Sequence, residues 1–310
     1  MQRNFVLPLA LCLTTGAAWG AALGTSAREV IPAEVQQIIN VDYRALSNSP
    51  LATELHDRVL PPDLKEFETA LKGVGIVPQK DIDHLTFASF RDKDQIRFVG
   101  VAEGSFALKQ IFAKLKAKKI KPVKFSGAWL YPMANGFQMT LLDDSTLLFG
   151  NEEALHSALE ARSGDVPNLG TNSQITDIMP EVDGAAVWSV LDQQGTQTML
   201  RSALGDAAKL ADYETVSKRL KASRYQMNFE HGVNFDLDVI TSDGFTATSL
   251  SSLMRAGVMF KRMQASAQEK PLFDDMTVDS DGDLLRVHFK SDDKQFQSLL
   301  KSDLFAAVSR

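Results

Sequence analysis

The sequence predicts an α+β protein in which antiparallel sheets pack against helices, and three observations support this class. Short apolar runs are joined by tight polar turns, which favours antiparallel strand pairs. Longer stretches with helical spacing separate these pairs. The same order of elements also occurs twice along the chain. We therefore predict two tandem copies of a β-α-α-β-β-α-β-β-α unit, with an extra meander strand in the first. Alternating elements around one parallel sheet are the alternative that this pattern favours less.

The closing part of the first unit is a meander followed by a helix. Apolar runs at residues 128–133 and 137–142 flank a turn that contains Asn135 and Gly136. Asn-Gly readily adopts the positive φ angles that a tight hairpin needs. A third apolar run then leads into an amphipathic helix with Asn151 at its capping position.

The remaining elements follow from apolar periodicity and from Gly and Pro at their ends. In the first unit we predict a strand at 36–41, helices at 51–60 and 63–72, strands at 83–90 and 95–103, and a helix at 104–119. In the second unit we predict a strand at 185–191, helices at 193–204 and 207–220, strands at 223–230 and 233–241, a helix at 249–267, and a final hairpin and helix.

Two boundaries divide the chain. Residues 163–175 are rich in turn formers and lack periodicity, so we expect them to link a first unit at 28–162 to a second at 176–310. Residues 1–27 have the three parts of a secretory signal peptide: a positive start, an apolar run and a small-residue region. Cleavage after Gly20 and cleavage after Ala27 both fit, and an uncleaved membrane anchor is the alternative. We expect a periplasmic or secreted protein.

Composition excludes several classes of protein. Apolar residues make up 44% of the chain and charged residues 23%, which is typical of globular proteins. The net charge of −6 does not favour nucleic-acid binding. The sole cysteine, Cys12, lies in the leader, and Leu11 before it disfavours lipidation. Removal of the leader leaves no disulfide, no thiol chemistry and no membrane span.

One resemblance rests on structural motifs. A Gly-x-Phe helix start, Gly104-Ser105-Phe106, precedes a meander with an Asp143-Asp144 turn. This order of elements resembles sets of uncharacterised exported bacterial proteins with a duplicated α+β unit. The resemblance implies no activity.

The strands of the two units differ in pattern. Those of the second unit alternate apolar and polar residues, which predicts one packed face and one face in water. Those of the first unit are apolar on both faces. One face is predicted to carry Trp129, Tyr131, Phe137, Met139 and Leu141. Either helices cover one face and the second unit or a partner covers the other, or this face is an open apolar groove for a lipid-like ligand.

The densest cluster of charge follows the long helix of the first unit. Its members are Lys114, Lys116, Lys118, Lys119 and Lys121, with Lys124 just beyond. Clustered lysines attract anionic head groups or acidic envelope polymers. The alternative is a solvated helix face whose cations favour the C-terminal end of the helix dipole.

Motifs for catalysis or metal binding are weak. The segment 279–283 starts like a calcium loop, but its glycine falls fourth and Lys290 stands where a bidentate glutamate belongs. His288 shares a polar strand face with Arg286 and is placed to meet Asp236 or Asp238. We predict no catalytic residue, cofactor or metal site.

The sequence therefore indicates an exported, non-catalytic binding or scaffolding protein whose partner is an envelope protein or a lipid. Two alternatives stay open. One is a carrier of a lipid-like apolar ligand in a groove of the first unit. The other is an envelope hydrolase whose site forms only in the folded chain.

Overall fold

The computed structural model describes residues 22–47, 49–59, 62–92, 95–204, 213–229, 232–265 and 270–300. Predictions for most of the leader, for the turn at 93–94, for the first part of the 207–220 helix, for His231 and for the end of the 249–267 helix lie outside these residues.

Helices and strands alternate irregularly along the chain. The helices are α1 (Thr25–Val30), α2 (Tyr43–Ser47), α3 (Pro50–Val59), α4 (Pro62–Val74), α5 (Pro78–Asp81), α6 (Leu108–Ala117), α7 (Glu152–Ser163), α8 (Ser173–Thr176), α9 (Gln193–Leu204), α10 (Tyr213–Ser217), α11 (Gly244–Gln264), α12 (Lys270–Asp274) and α13 (Asp293–Leu300). The strands are β1 (Gln37–Asp42), β2 (Ile82–Asp92), β3 (Gln95–Gly104), β4 (Val123–Phe125), β5 (Ala128–Pro132), β6 (Gln138–Leu141), β7 (Thr146–Gly150), β8 (Val187–Leu191), β9 (Leu220–Asn228), β10 (Val233–Thr241), β11 (Met276–Asp281) and β12 (Leu284–Ser291).

The described strands form one 12-stranded sheet in the order β11-β12-β10-β9-β8-β1-β2-β3-β7-β6-β5-β4. Neighbouring strands pair antiparallel, as the α+β prediction requires. Strand β1 pairs with β8, with Val41 opposite Val187, so this pairing joins the earlier and later parts of the chain. The parallel alternative is excluded for these strands.

Both faces of the sheet are covered in the earlier part of the chain. On one face, here the α7 face, Val99 and Val101 of β3 pack in a core with α1 and α7. On the other, the α4 face, Leu147 and Phe149 of β7 pack in a core with α4 and α6. Both faces are therefore covered, as one of the two interpretations of the sequence required. The second face is covered by helices of this same part of the chain, and not by the second unit or a partner.

The later part of the chain shows the predicted alternation. Buried and exposed residues alternate along β12, and Leu285 and Val287 pack in a core with α9 and α11. The opposite face is polar: Arg224 donates to Asp238, and His288 Nδ1 lies 2.6 Å from Asp236 Oδ1. The predicted pairing of His288 with an aspartate is confirmed.

Two helices begin at other residues than predicted. Helix α6 starts at Leu108 instead of Gly104, because Gly104 pairs with Ile82 at the end of β3. A Cβ on Gly104 would collide with the Asp81 carbonyl oxygen. Helix α11 starts at Gly244 instead of residue 249, because Asp243 Oδ1 accepts the backbone N–H of Thr246 at 2.8 Å and caps the helix there.

The hairpin turn agrees with its prediction. Asn135 and Gly136 have φ angles of 56° and 74°, and Tyr131 of β5 pairs with Met139 of β6. These positive φ angles explain why Asn and Gly occupy the turn.

Residues 163–175 pack against the start of the described chain. Leu169 is buried, and its backbone N–H donates to the Ile31 carbonyl at 2.7 Å. The N–H of Ala33 donates to the Pro167 carbonyl at 2.9 Å. This segment therefore contributes to the core on the α7 face. Within the described ranges, no helix has the length and apolar character needed to cross a bilayer.

Candidate functional site: an apolar cavity with a polar end

A cavity of about 390 Å³ lies on the α4 face, between the central strands and helices α2, α3 and α4. Its lining is almost wholly apolar. The lining residues are Ile39, Val41, Tyr43, Leu46, Ala52, Leu55, His56, Leu64, Phe67, Glu68, Leu71, Pro78, Ile82, Leu85, Phe87, Leu147, Phe149, Val187, Tyr225, Met227 and Phe229. This volume falls in the range of about 300–1,000 Å³ that is typical of ligand pockets.

Strand register explains the floor of the cavity. Cross-strand partners point to the same face of a sheet, and side chains two residues apart share that face. One such row runs through Leu85, Val41, Val187 and Met227 on four adjacent strands. All four line the cavity. The floor thus crosses the β1–β8 pairing and draws on both parts of the chain.

A parallel row contains two small residues. Phe87 lies opposite Gly100 on β3, which lies opposite Phe149 on β7. A Cβ on Gly100 would collide with the Phe149 ring, so this glycine makes room for the ring. In the other direction, Phe87 is followed by Ile39 and Ser189. Ser189 is also small, but it is fully buried, accepts a hydrogen bond from Gln37 at 3.2 Å and does not line the cavity.

The roof of the cavity comes from α3 and α4. On α4, Leu64, Phe67, Glu68 and Leu71 face the cavity with the spacing of a single helix face. Helix α3 is held over the later strands because Leu51 packs with Val233 and with Phe296 of α13.

Three polar side chains meet in the cavity wall. Glu68 Oε1 accepts the Tyr43 hydroxyl at 3.2 Å and lies 3.1 Å from Nε2 of His56. Tyr43 Oη and His56 Nε2 are 3.3 Å apart, and His56 Nδ1 lies 3.2 Å from Asp57 Oδ1. We call Tyr43, His56 and Glu68 the polar end of the cavity.

The three side chains of the polar end shift one another's pKa values. The hydrogen bond to Glu68 is the main reason that the pKa of His56 is raised, against the opposing effect of burial. Burial raises the pKa of Glu68, but the hydrogen bond and positive charge of His56, the hydrogen bond from Tyr43 and the charge of Lys72 together outweigh it, so the net shift is downward. Burial, together with Glu68, raises the pKa of the Tyr43 hydroxyl. The charged His56–Glu68 pair is therefore favoured in the fold.

Of the five residues predicted to form an apolar binding face, Tyr131, Phe137, Met139 and Leu141 belong to one cluster on the α4 face. Phe137 and Met139 are buried in the core under α4 and α6. Trp129 is 50% exposed, and with Tyr131 and Leu141 it lines a surface pocket of about 310 Å³ beside Phe112. None of the five lines the larger cavity.

The predicted lysine cluster is exposed along its whole length. Nζ of Lys114 and Nζ of Lys118 lie over Gly75 and Gly73, at the C-terminal end of α4. Lys124 Nζ lies 5.7 Å from the centroid of the Trp129 ring. Two of the lysines thus favour a neighbouring helix dipole, as the solvated-face interpretation expects, and the cluster also adjoins an exposed tryptophan.

Metal ligands do not cluster in the described part of the chain. The acidic segment 279–283 is a hairpin turn between β11 and β12, with Gly282 at a φ of 58°. His288, about half exposed, pairs with Asp236 on the polar face of the sheet.

Sequence reasoning missed the polar end entirely. Tyr43, His56 and Glu68 lie on three different helices with no motif spacing, so only the packing of α2, α3 and α4 brings them together. The alternation of the later strands predicted only a packed face, and Tyr225, Met227 and Phe229, which line the cavity, lie on that face.

These features define an α+β protein whose described strands form one antiparallel sheet, with an apolar cavity beneath short helices. The fold is similar to that of TP0453: crystal form I matches with a TM-score of 0.51 and 11% sequence identity, covering 91% of this chain and 96% of that chain. Crystal forms III and IV of TP0453 match with TM-scores of 0.48 and 0.45, at 10% and 12% identity. They cover 89% of this chain in both cases, and 98% and 96% of those chains. At this identity the first similarity shows the fold alone. No protein-family model matches the chain, and no curated protein sequence matches it.

Proposed function

We propose that the protein is an exported carrier that holds one lipid-like apolar ligand in the cavity between the sheet and helices α2–α4. The observation that carries this proposal is the cavity itself, about 390 Å³ with an almost wholly apolar lining. Apolar pockets of this size usually bind a ligand. Among the residues that the structure describes, no comparable feature favours the scaffolding or the hydrolase hypothesis.

In this proposal the ligand contacts both the earlier and the later part of the chain. The sequence-based version placed the groove in the first unit, on the side of Trp129. The cavity instead combines Ile39 and Phe87 with Tyr225 and Phe229 from the later strands. An apolar ligand there would add contacts to both parts of the chain, so binding should raise the stability of the whole sheet.

Displacement of a fluorescent apolar probe tests this function. N-phenyl-1-naphthylamine should bind the wild-type protein with enhanced emission and should be displaced by a long-chain monoacylglycerol. Val187→Phe fills the cavity floor and should abolish binding, whereas Val77→Phe, at an exposed site outside the cavity, should not. Equal probe binding by both variants would reject the cavity as the binding site.

Export, with cleavage of the leader after Gly20, is part of the proposal. Leu23 is 4% exposed and Ala27 is fully buried in the core that α1 shares with α7. The backbone N–H of Leu23 also donates to Asp183 Oδ1 at 3.1 Å. Cleavage after Ala27 would remove these contacts, so they support the earlier site.

The duplication is likewise proposed. Outward from the β1–β8 pairing, the order β1-β2-β3-β7-β6 on one side matches β8-β9-β10-β12-β11 on the other. Strands β5 and β4 then form the addition to the first unit. The matching order supports two copies of one unit that share a sheet.

We also propose that the lysine cluster docks the carrier on an anionic membrane. All five lysines of the cluster are exposed, as is Lys124 beyond them, and the Lys124 ammonium lies 5.7 Å from the ring of half-exposed Trp129. Val123, next to Lys124 in the chain, is 57% exposed. None of these lysines has an acidic partner within the described ranges, although the chain as a whole is acidic. Clustered lysines around an exposed tryptophan fit an anionic lipid surface.

A further inference from the structure

The polar end of the cavity determines how a bound lipid would be oriented. Apolar side chains form most of the wall, so an acyl chain placed there keeps its contacts wherever it lies. A polar head group has no such freedom, because it loses hydrogen bonds to water on entry and must recover them. Tyr43, His56 and Glu68 are the hydrogen-bonding groups grouped together in this wall.

The polar end has more free hydrogen-bond acceptors than free donors. Tyr43 has one hydroxyl proton, and it goes to Glu68 Oε1. His56 Nε2 faces the same oxygen, and His56 Nδ1 faces Asp57. Glu68 Oε2 accepts no hydrogen bond from the described residues. The polar end thus has acceptors to spare and its donors are engaged, so a head group that donates a hydrogen bond fits it.

Charge leads to the same conclusion. Glu68, whose side chain is 19% exposed, is the acid in the cavity wall, whereas Asp57 is 74% exposed. His56 pairs with both acids, and the positive charge of Lys72 also acts on Glu68. A fatty-acid carboxylate bound there would lie next to the Glu68 carboxylate in a poorly hydrated site, and like charges at short range oppose each other strongly. A neutral head group avoids this repulsion.

We infer, on the basis of the proposed carrier function, that the cavity selects lipids with a neutral, hydroxyl-bearing head group over free fatty acids of the same chain length. The hydroxyl donates to Glu68 Oε2, and the acyl chain lies along the row of Leu85, Val41, Val187 and Met227. Glu68 is the residue that sets this preference.

The test compares two lipids that differ only in their head group. A monoacylglycerol and the fatty acid with the same acyl chain are titrated against the wild-type protein loaded with N-phenyl-1-naphthylamine at neutral pH. We expect the monoacylglycerol to displace the probe at a concentration about tenfold lower than the fatty acid. In Glu68→Gln the fatty acid should bind more tightly, and the difference should narrow to about threefold or less.

Glu66→Gln is the matched control, since Glu66 lies on the same helix, is exposed and contacts Asn135 instead of the cavity. It should keep the wild-type ratio. Fatty acid that binds the wild-type protein as tightly as the monoacylglycerol, or a ratio unchanged in Glu68→Gln, overturns the head-group inference while the carrier function stands. Failure of the probe and of both lipids to bind overturns the carrier function itself.

Discussion

His56 and Glu68 join two helices above the cavity, with His56 Nε2 3.1 Å from Glu68 Oε1. The contact links α3 to α4 and closes the polar end around the Tyr43 hydroxyl. It is also the part of the site whose strength depends on pH.

The His56–Glu68 pair should stabilise the fold most in mildly acidic solution. The raised pKa of His56 gives stability that is present below its unfolded value of 6.5 and is lost as the pH rises through the folded value. The lowered pKa of Glu68 gives stability that is present above its unfolded value of 4.5 and is lost as the pH falls through the folded value. The two contributions to stability are both present between pH 4.5 and pH 6.5.

A double-mutant cycle of His56→Gln and Glu68→Gln, followed by thermal unfolding, should give a coupling energy that is larger at about pH 5.5 than at about pH 8. A coupling that is the same at both pH values would contradict this.

Phe67 should be among the residues on which the stability of the α4 face depends most. Its ring is 2% exposed, stacks 4.8 Å from the Phe149 centroid and meets the edge of Phe137 at 5.6 Å. Phe67→Ala should lower the free energy of unfolding in urea by about 3–5 kcal/mol. Phe245→Ala removes a ring that is 77% exposed and should change the free energy of unfolding little. Equal effects would show that the α4 face is packed differently.

The sequence predicted local structure well wherever a pattern alone determines it. The hairpin at Asn135-Gly136 and the alternation along β12 follow from turn chemistry and from the two-residue period of strands. The predicted helix start at Gly104 was wrong, because the backbone N–H groups of Ser105 and Phe106 donate to the carbonyls of Asp81 and Asp144. These carbonyls are distant in sequence, so a local pattern does not indicate the bonds. The cavity could not be predicted from the sequence for the same reason. It depends on the β1–β8 pairing and on the contact between His56 and Glu68, and local patterns do not encode such long-range contacts.

Trp129 should report docking on membranes. The sequence has three tryptophans, of which Trp19 is absent from a chain that starts at Ala21, Trp188 is fully buried and Trp129 is half exposed. A change in the tryptophan emission of that chain on adding vesicles therefore reports mainly on Trp129. Vesicles that contain phosphatidylglycerol should shift the emission to shorter wavelength, and salt should reverse the shift. Vesicles of phosphatidylcholine alone should not.

Charge reversal provides the control for docking. The triple variant K116E/K121E/K124E should lower vesicle binding at least about tenfold, since each lysine near an anionic surface contributes about 1 kcal/mol. The triple variant K218E/K221E/K290E makes the same change of charge at exposed lysines outside the cluster and should bind vesicles much more like the wild type. Equal losses in the two variants would mean that overall charge, and not the cluster, governs the interaction.

The N-terminus of the exported protein should be Ala21. Peptide sequencing of the periplasmic or secreted chain checks this directly. A chain that starts at Ala21 should fold with full stability, whereas one that starts at Arg28 lacks Leu23 and Ala27 from the core and should unfold at lower temperature. A mature chain beginning at Arg28 with unchanged stability would contradict the proposed role of α1.

Native mass spectrometry of the exported protein, purified without detergent, tests the carrier function most directly. The account predicts the mass of the polypeptide plus one neutral lipid per chain, lost in Val187→Phe and kept in Val77→Phe. Wild-type protein that carries no lipid when isolated, and takes up neither probe nor monoacylglycerol when they are added, would contradict it.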